Sequence, residues 1–181
     1  MSSKLYIIAF LIYLTRVQCQ QSPMINGTNH TFVYYYYSPR PYAFRTSKNN
    51  WLPVLKMLTL NDSDSPLLST AYLTFDVETF NEDILQYESE SSGINGYFDA
   101  VTGVLSMFGT STVAVWQSAL RNVLYRASNK LSLKQRPNQH DRFITIEVYD
   151  SSGLRDKAIQ HLRLKTARTV ITSKNTYELA R

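Results

Sequence analysis

The sequence predicts an α+β domain, an antiparallel sheet packed against one or two central helices. Two segments, residues 69–78 (STAYLTFDVE) and 142–150 (RFITIEVYD), alternate apolar and polar side chains, the period of a half-buried strand. Between them, Tyr97 to Lys130 places Phe98, Val101, Leu105, Phe108, Trp116, Leu120, Val123 and Leu124 mostly three or four residues apart, the period of a helix face. Hydrophobic content of 44% with 18% charged residues is that of a folded chain.

The first nineteen residues set the compartment. Met1 to Lys4 is a short basic start, and Leu5 to Leu14 is an apolar run too short for a permanent membrane helix. Val17 and Cys19 then suit the small-residue positions of a signal-peptidase site, so residues 1–19 read as a secretory signal and Gln20 as the mature N-terminus. Cys19 is the only cysteine, so the mature chain is expected to fold without a disulfide. Its length, about 160 residues, allows one domain with a self-sufficient core, assigned to residues 32–181.

Residues 20–31 are polar and read as a glycosylated arm. The chain holds three acceptor triplets, at Asn26, Asn29 and Asn61, none with proline in the middle. Residues 32–37 (FVYYYY) favour a strand that Ser38-Pro39 ends. Trp51 to Leu60, with Pro53 near its start, suggests a short helix, and residues 61–66 (NDSDSP) a loop. In the long helical candidate, Gly103, Gly109 and Thr110-Ser111-Thr112 suggest a break into two helices. Asp150 to Gly153 reads as a turn. Residues 154–173 are ambiguous: Leu154, Ala158, Leu162 and Lys165 fit a helix face, and residues 169–172 a final strand.

Charge is unevenly distributed. Residues 20–120 hold four basic and nine acidic side chains, and residues 121–181 hold thirteen basic and five acidic. Part of this asymmetry is expected to neutralise itself within the fold. The remainder points to an acidic extracellular partner, a sulfated glycan or an acidic matrix protein, met by Arg155, Lys157, Arg163, Lys165 and Arg168. A second candidate surface is the tyrosine run Tyr34, Tyr35, Tyr36 and Tyr37 beside Arg40 and Arg45, where exposed rings could stack on a sugar or a partner. Export argues against nucleic acid as the partner.

Signatures of catalysis are sparse. His30, His140 and His161 are far apart and in no metal-ligand spacing, and neither a nucleophile elbow nor a phosphate-binding glycine loop is present. No cofactor or metal is expected. The carboxylates Asp76, Glu78, Glu82 and Asp83 are the best acid–base candidates, because Asp76 and Glu78 share a strand face as a hydrolase pair would. Outward carboxylates on such a strand are more simply a solvated edge. Residues 100–120 carry no charge and precede Arg121, Arg126 and Lys130, the outline of a membrane span with a basic flank. A membrane-associated protein, single-span or inserting, is therefore the alternative. Seven polar side chains in that stretch favour a buried core helix instead. The expectation is a secreted, non-catalytic glycoprotein with a binding or structural role in an extracellular matrix or at a surface.

Overall fold

A computed structural model describes residues 21–37, 51–75, 83–88, 92–127, 141–167, 169–171 and 177–179; residues 1–19, which the sequence suggests as a leader, lie outside the described residues. The fold is mostly β, 58% strand and 9% helix, which corrects the α+β expectation. In chain order the strands are β1 (Met24–Asn26), β2 (Phe32–Tyr37), β3 (Leu52–Pro53), β4 (Thr59–Asn61), β5 (Leu67–Phe75), β6 (Asp83–Gln86), β7 (Asn95–Asp99) and β8 (Val104–Thr112). The helix α1 (Val113–Arg121) follows, then β9 (Leu124–Ala127), β10 (Arg142–Asp150), β11 (Arg155–Ala167), β12 (Thr169–Ile171) and β13 (Tyr177–Leu179).

A mixed six-stranded sheet runs in the order β2-β11-β10-β5-β8-β7. All neighbours are antiparallel except β2 and β11, which pair in parallel from Phe32–Leu162 to Tyr37–Ala167. A three-stranded sheet, β3-β9-β6, forms the second layer, and β1 pairs with β4. The hairpin β12-β13 follows.

The alternating segments behave as their period dictates. Ala71, Leu73 and Phe75 of β5 and Ile144, Ile146 and Val148 of β10 are buried on one face, joined there by Leu105 and Met107 of β8 and Leu162 and Leu164 of β11. Against this face lie Trp116, Ala119 and Leu120 of α1, Leu85 of β6 and Tyr125 of β9. Phe75 and Tyr125 meet edge to face at 6.1 Å, and the Trp116 indole N–H is shared between the carbonyls of Leu68 and Gly109, each at 3.0 Å.

Over its described residues, Tyr97 to Ala127, the long helix expected over Tyr97 to Lys130 is instead a strand, a turn, a strand, a nine-residue helix and another strand. Its helical spacing mixed residues with opposite fates: Leu105 is buried, whereas Val101 is 84% and Phe108 51% exposed. Gly103, at φ +70°, makes the turn between β7 and β8, with Asp99 accepting from the Val101 N–H and the Thr102 hydroxyl. At Gly109, a Cβ would run into the backbone of Gly93 and Ile94, so β8 passes there only as glycine. The Thr112 side chain then caps α1 by accepting from the Val115 N–H at 3.4 Å. The charge-free stretch 100–120 is thus divided between β8 and α1. At about 14 Å, α1 is far shorter than a bilayer core, and no described helix is long and apolar enough to cross a membrane.

The helix expected over Trp51 to Leu60 is also absent. Pro53 lies in β3, at the edge of the small sheet where its missing N–H costs nothing, and the chain reaches β4 through a turn closed by Leu58 N–H to Leu55 carbonyl. Of the ambiguous residues 154–173, Arg155–Ala167 form β11, because Ala158, Gln160, Leu162 and Leu164 fit period two and β10 supplies the hydrogen bonds. Within the segment expected as a polar arm, Ile25 is buried and its N–H donates to the Asp156 carboxylate at 2.7 Å.

One buried ion pair joins the layers. Arg142 Nε donates to Asp83 Oδ2 at 2.7 Å, with both side chains fully buried, and the Tyr125 hydroxyl donates to Asp83 Oδ1 at 2.5 Å. Asp83 belongs to β6, Tyr125 to β9 and Arg142 to β10, so one carboxylate ties the small sheet to the large one. Removing one partner leaves a buried charge without its counter-ion, so Asp83→Ala is expected to cost about 3–5 kcal/mol in denaturant unfolding. A loss below about 1 kcal/mol, the scale of an exposed pair, would contradict that role.

Candidate functional site

The outer face of the six-stranded sheet lies opposite the core, and its side chains follow from strand parity. From β10 come Phe143, Glu147 and Tyr149, and from β5 Thr70, Tyr72 and Thr74. Strand β11 contributes Arg155, Lys157, Ile159, His161, Arg163 and Lys165, alternating with the inward Ala158, Gln160, Leu162 and Leu164. The register aligns these residues across the strands: Lys157, Glu147, Tyr72, Ser106 and Tyr97 in one row, and Arg155, Tyr149, Thr70, Phe108 and Asn95 in the next. Tyr72, Tyr97, Phe108, Phe143 and Ile159 are all exposed there.

Four of the five basic residues expected to bind an acidic partner, Arg155, Lys157, Arg163 and Lys165, are therefore brought together, exposed, along one side of β11. Two carboxylates accompany them. Arg155 Nη1 donates to Glu147 Oε2 at 3.3 Å, and Arg163 Nε to Asp141 Oδ2 at 3.4 Å. Among the described ion pairs, none includes Lys157 or Lys165. Both pairs lie within the basic segment; among the described ion pairs, the one that joins it to the acidic segment is Arg142–Asp83.

The backbone of Tyr34 to Tyr37 lies in β2, where Tyr35 pairs with Lys165. The side chains of these tyrosines, and Arg40, Arg45, Arg168, Asp76, Glu78 and Glu82, lie outside the described residues. Asp83, the remaining acid–base candidate, is committed to the buried pair with Arg142. Asn26, Asn29 and Asn61 are exposed, on β1, in the loop before β2 and on β4.

Two groupings were not anticipated. At one end of the outer face, His161 lies between a hydroxyl and a carboxylate. A carboxylate can only accept, so Nε2–H donates to Asp141 Oδ2 at 2.7 Å, and Nδ1 and the Thr31 hydroxyl share a hydrogen bond at 2.9 Å. Phe143 stacks on the imidazole, centroids 4.9 Å apart. In the Ser-His-Asp triad the carboxylate holds Nδ1 and the nucleophile meets Nε2, the reverse of this arrangement. Its evident work is to fasten residue 31, where β2 begins, to β11. The Gln160 amide helps by donating to the His30 carbonyl.

At the other end is a shallow, open depression of about 450 Å³ walled by Thr70, Tyr72, Tyr149 and the turn residues Ser151, Ser152 and Gly153. The rings of Tyr72 and Tyr149 stand nearly perpendicular, centroids 5.8 Å apart. Asp150 organises the turn by accepting from the N–H groups of Ser152 and Leu154 and from the Ser152 hydroxyl. Gly153, at φ +90°, supplies the left-handed backbone that the turn needs. Beside the depression, the Tyr149 hydroxyl donates to Glu147 at 3.2 Å and accepts from Arg155 Nη1 at 3.2 Å. The alternation of residues 69–78 and 142–150 puts Tyr72, and Glu147 with Tyr149, on the polar side of their strands; what the sequence lacked was the pairing of β5 with β10.

Among the described residues, no three His, Cys, Asp or Glu side chains gather as a metal site. No protein-family model matches the chain, and no curated protein matches it.

Asp141 supplies a pH-dependent contribution to this face. Partial burial pushes its carboxyl up, but the hydrogen bond from His161 and the charge of Arg163 outweigh that and hold it below the usual carboxylate value. A carboxyl depressed in the folded state stabilises above its unfolded pKa and loses that contribution as pH falls through the folded value. Asp141→Asn is therefore expected to lower the thermal midpoint at neutral pH, and its difference from wild type to close progressively below about pH 4. Parallel pH–midpoint curves would contradict the pairing.

Proposed function

We propose that this chain is a secreted, glycosylated, non-catalytic protein that binds an acidic partner in the extracellular matrix or at a surface, along the outer face of β11. The observation that carries this reading is the row Arg155, Lys157, Arg163 and Lys165 on one side of a thirteen-residue strand. Residues two apart on a strand face the same way about 7 Å apart, so the row extends about 34 Å from Arg155 to Lys165. The cations form two pairs, Arg155 with Lys157 and Arg163 with Lys165, separated by Ile159 and His161 on the same face, so a linear polyanion lying along β11 can meet basic groups at both ends of the strand. Glu147 and Asp141 hold Arg155 and Arg163 in place. Lys157 and Lys165 carry their charge into solvent, where it attracts over roughly a Debye length of ~8–10 Å.

Export rests on the leader-like start of the sequence, with three exposed acceptor asparagines as support. The tyrosine run belongs to the same proposal as a flank, because its backbone forms β2, the strand beside β11.

The protein secreted from a eukaryotic host is expected to begin at Gln20, to lose mass on glycosidase treatment and to be retained on a sulfated-polysaccharide column until salt displaces it. Reversing Lys157 and Lys165 to glutamate is expected to lower the eluting salt and weaken low-salt binding roughly tenfold or more, each exposed charge contributing ~1 kcal/mol. Unchanged elution of that variant, with its fold intact, would overturn the assignment.

A further inference from the structure

We propose that the acidic partner is a sulfated polysaccharide rather than an acidic polypeptide, and that the Tyr72–Tyr149 depression seats one of its sugar rings. This deepens the polyanion reading and rests on it. The depression lies at the Arg155 end of the cation row, since Tyr149 pairs across the sheet with both Arg155 and Thr70. Tyr149 stands one strand and Tyr72 two strands to the side of β11, so the phenol rings flank the Arg155 end of the row within about 10 Å, the width of a sugar unit or two.

The chemistry of the walls is that of a sugar site. Two nearly perpendicular rings give one planar apolar wall and one edge, which suits the C–H face of a pyranose. Polar groups ring the aromatic pair. Glu147, whose side chain is 22% exposed, can accept from a sugar hydroxyl. The Thr70 and Ser151 side chains offer hydroxyls that both donate and accept. Arg155, 58% exposed, keeps guanidinium N–H groups for a sulfate or carboxylate on the same ring. The triangle of Glu147, Tyr149 and Arg155 fixes these groups before a ligand arrives, which lowers the entropy lost on binding. A run of acidic side chains such as poly-aspartate would satisfy the cations equally well but has no pyranose face for the aromatic wall. The tyrosines are what separate the two partners.

The test uses the full secreted protein with two probes, a heparin octasaccharide and poly-aspartate of matched charge, and reads affinity by titration calorimetry. Tyr72→Ala is expected to weaken heparin binding about fivefold, the scale of one aromatic contact, and to leave poly-aspartate binding unchanged. Tyr72→Trp keeps a ring and is expected to retain heparin binding, whereas Tyr72→Leu, which keeps apolar volume alone, is expected to lose it as the alanine variant does. Circular dichroism melts identify any variant whose loss is one of fold, and the tryptophan and leucine pair decides the matter if the alanine variant is unstable. Equal affinities of wild type and Tyr72→Leu for heparin, or equal losses on both probes, would overturn the sugar assignment while leaving the polyanion reading in place. Failure of wild type to bind either probe would overturn both.

Discussion

The buried pair of Arg142 and Asp83 is the constraint on which the rest of the architecture depends. A guanidinium and a carboxylate without solvent contact are tolerated only when they meet each other and their remaining lone pairs and protons are satisfied. The Tyr125 hydroxyl on the second carboxylate oxygen contributes to that satisfaction. Because Arg142 must point inward to reach Asp83, the parity of β10 is set from its first residue. Ile144, Ile146 and Val148 follow it into the core, and Phe143, Glu147 and Tyr149 are turned outward. A slip of one residue would bury Glu147 and expose three β-branched residues, so pair and hydrophobic pattern enforce the same register.

That register determines the chemistry of the outer face. Strand β11 pairs with β10 from Leu162–Arg142 to Arg155–Tyr149, so fixing one fixes the other. The cations of β11 emerge on the same side as Tyr149 and, through β5, Tyr72. The fastening of β2 by Thr31, His161 and Gln160 aligns the tyrosine-bearing strand along the far edge of β11. The three acceptor asparagines lie on β1, β4 and a loop, none of which belongs to the six-stranded sheet. Sugars attached there would not grow from the strands that carry the cations.

How much of this was legible in the sequence depended on whether a signal was local. Strands β5 and β10 announced themselves, because alternation over nine residues has no competing period. Residues 154–165 did not: Leu154, Ala158 and Leu162 fit a helix face, and only pairing with β10, remote in sequence, makes β11 a strand. The long helix was misread for the same reason. Leu105 and Phe108 are three apart yet belong to opposite faces of β8, and β-branched and glycine residues there weighed against a helix without naming the alternative. Of the site, the basic residues were visible as a charge excess, but their alignment required the strand. Asp83 stood among the acid–base candidates because its burial against Arg142, fifty-nine residues away, leaves no local mark.

The most direct test of the account is a hydroxyl-radical footprint of the protein with and without heparin. Aromatic and aliphatic side chains report their own exposure, and the outer face carries them from edge to edge. The account predicts protection at Tyr72, Tyr149 and Ile159, on and beside the cation row, with Tyr97 and Phe108 toward the β7 edge remaining as reactive as in the free protein. Protection centred on Tyr97 and Phe108, or a footprint that heparin leaves unchanged, would contradict it.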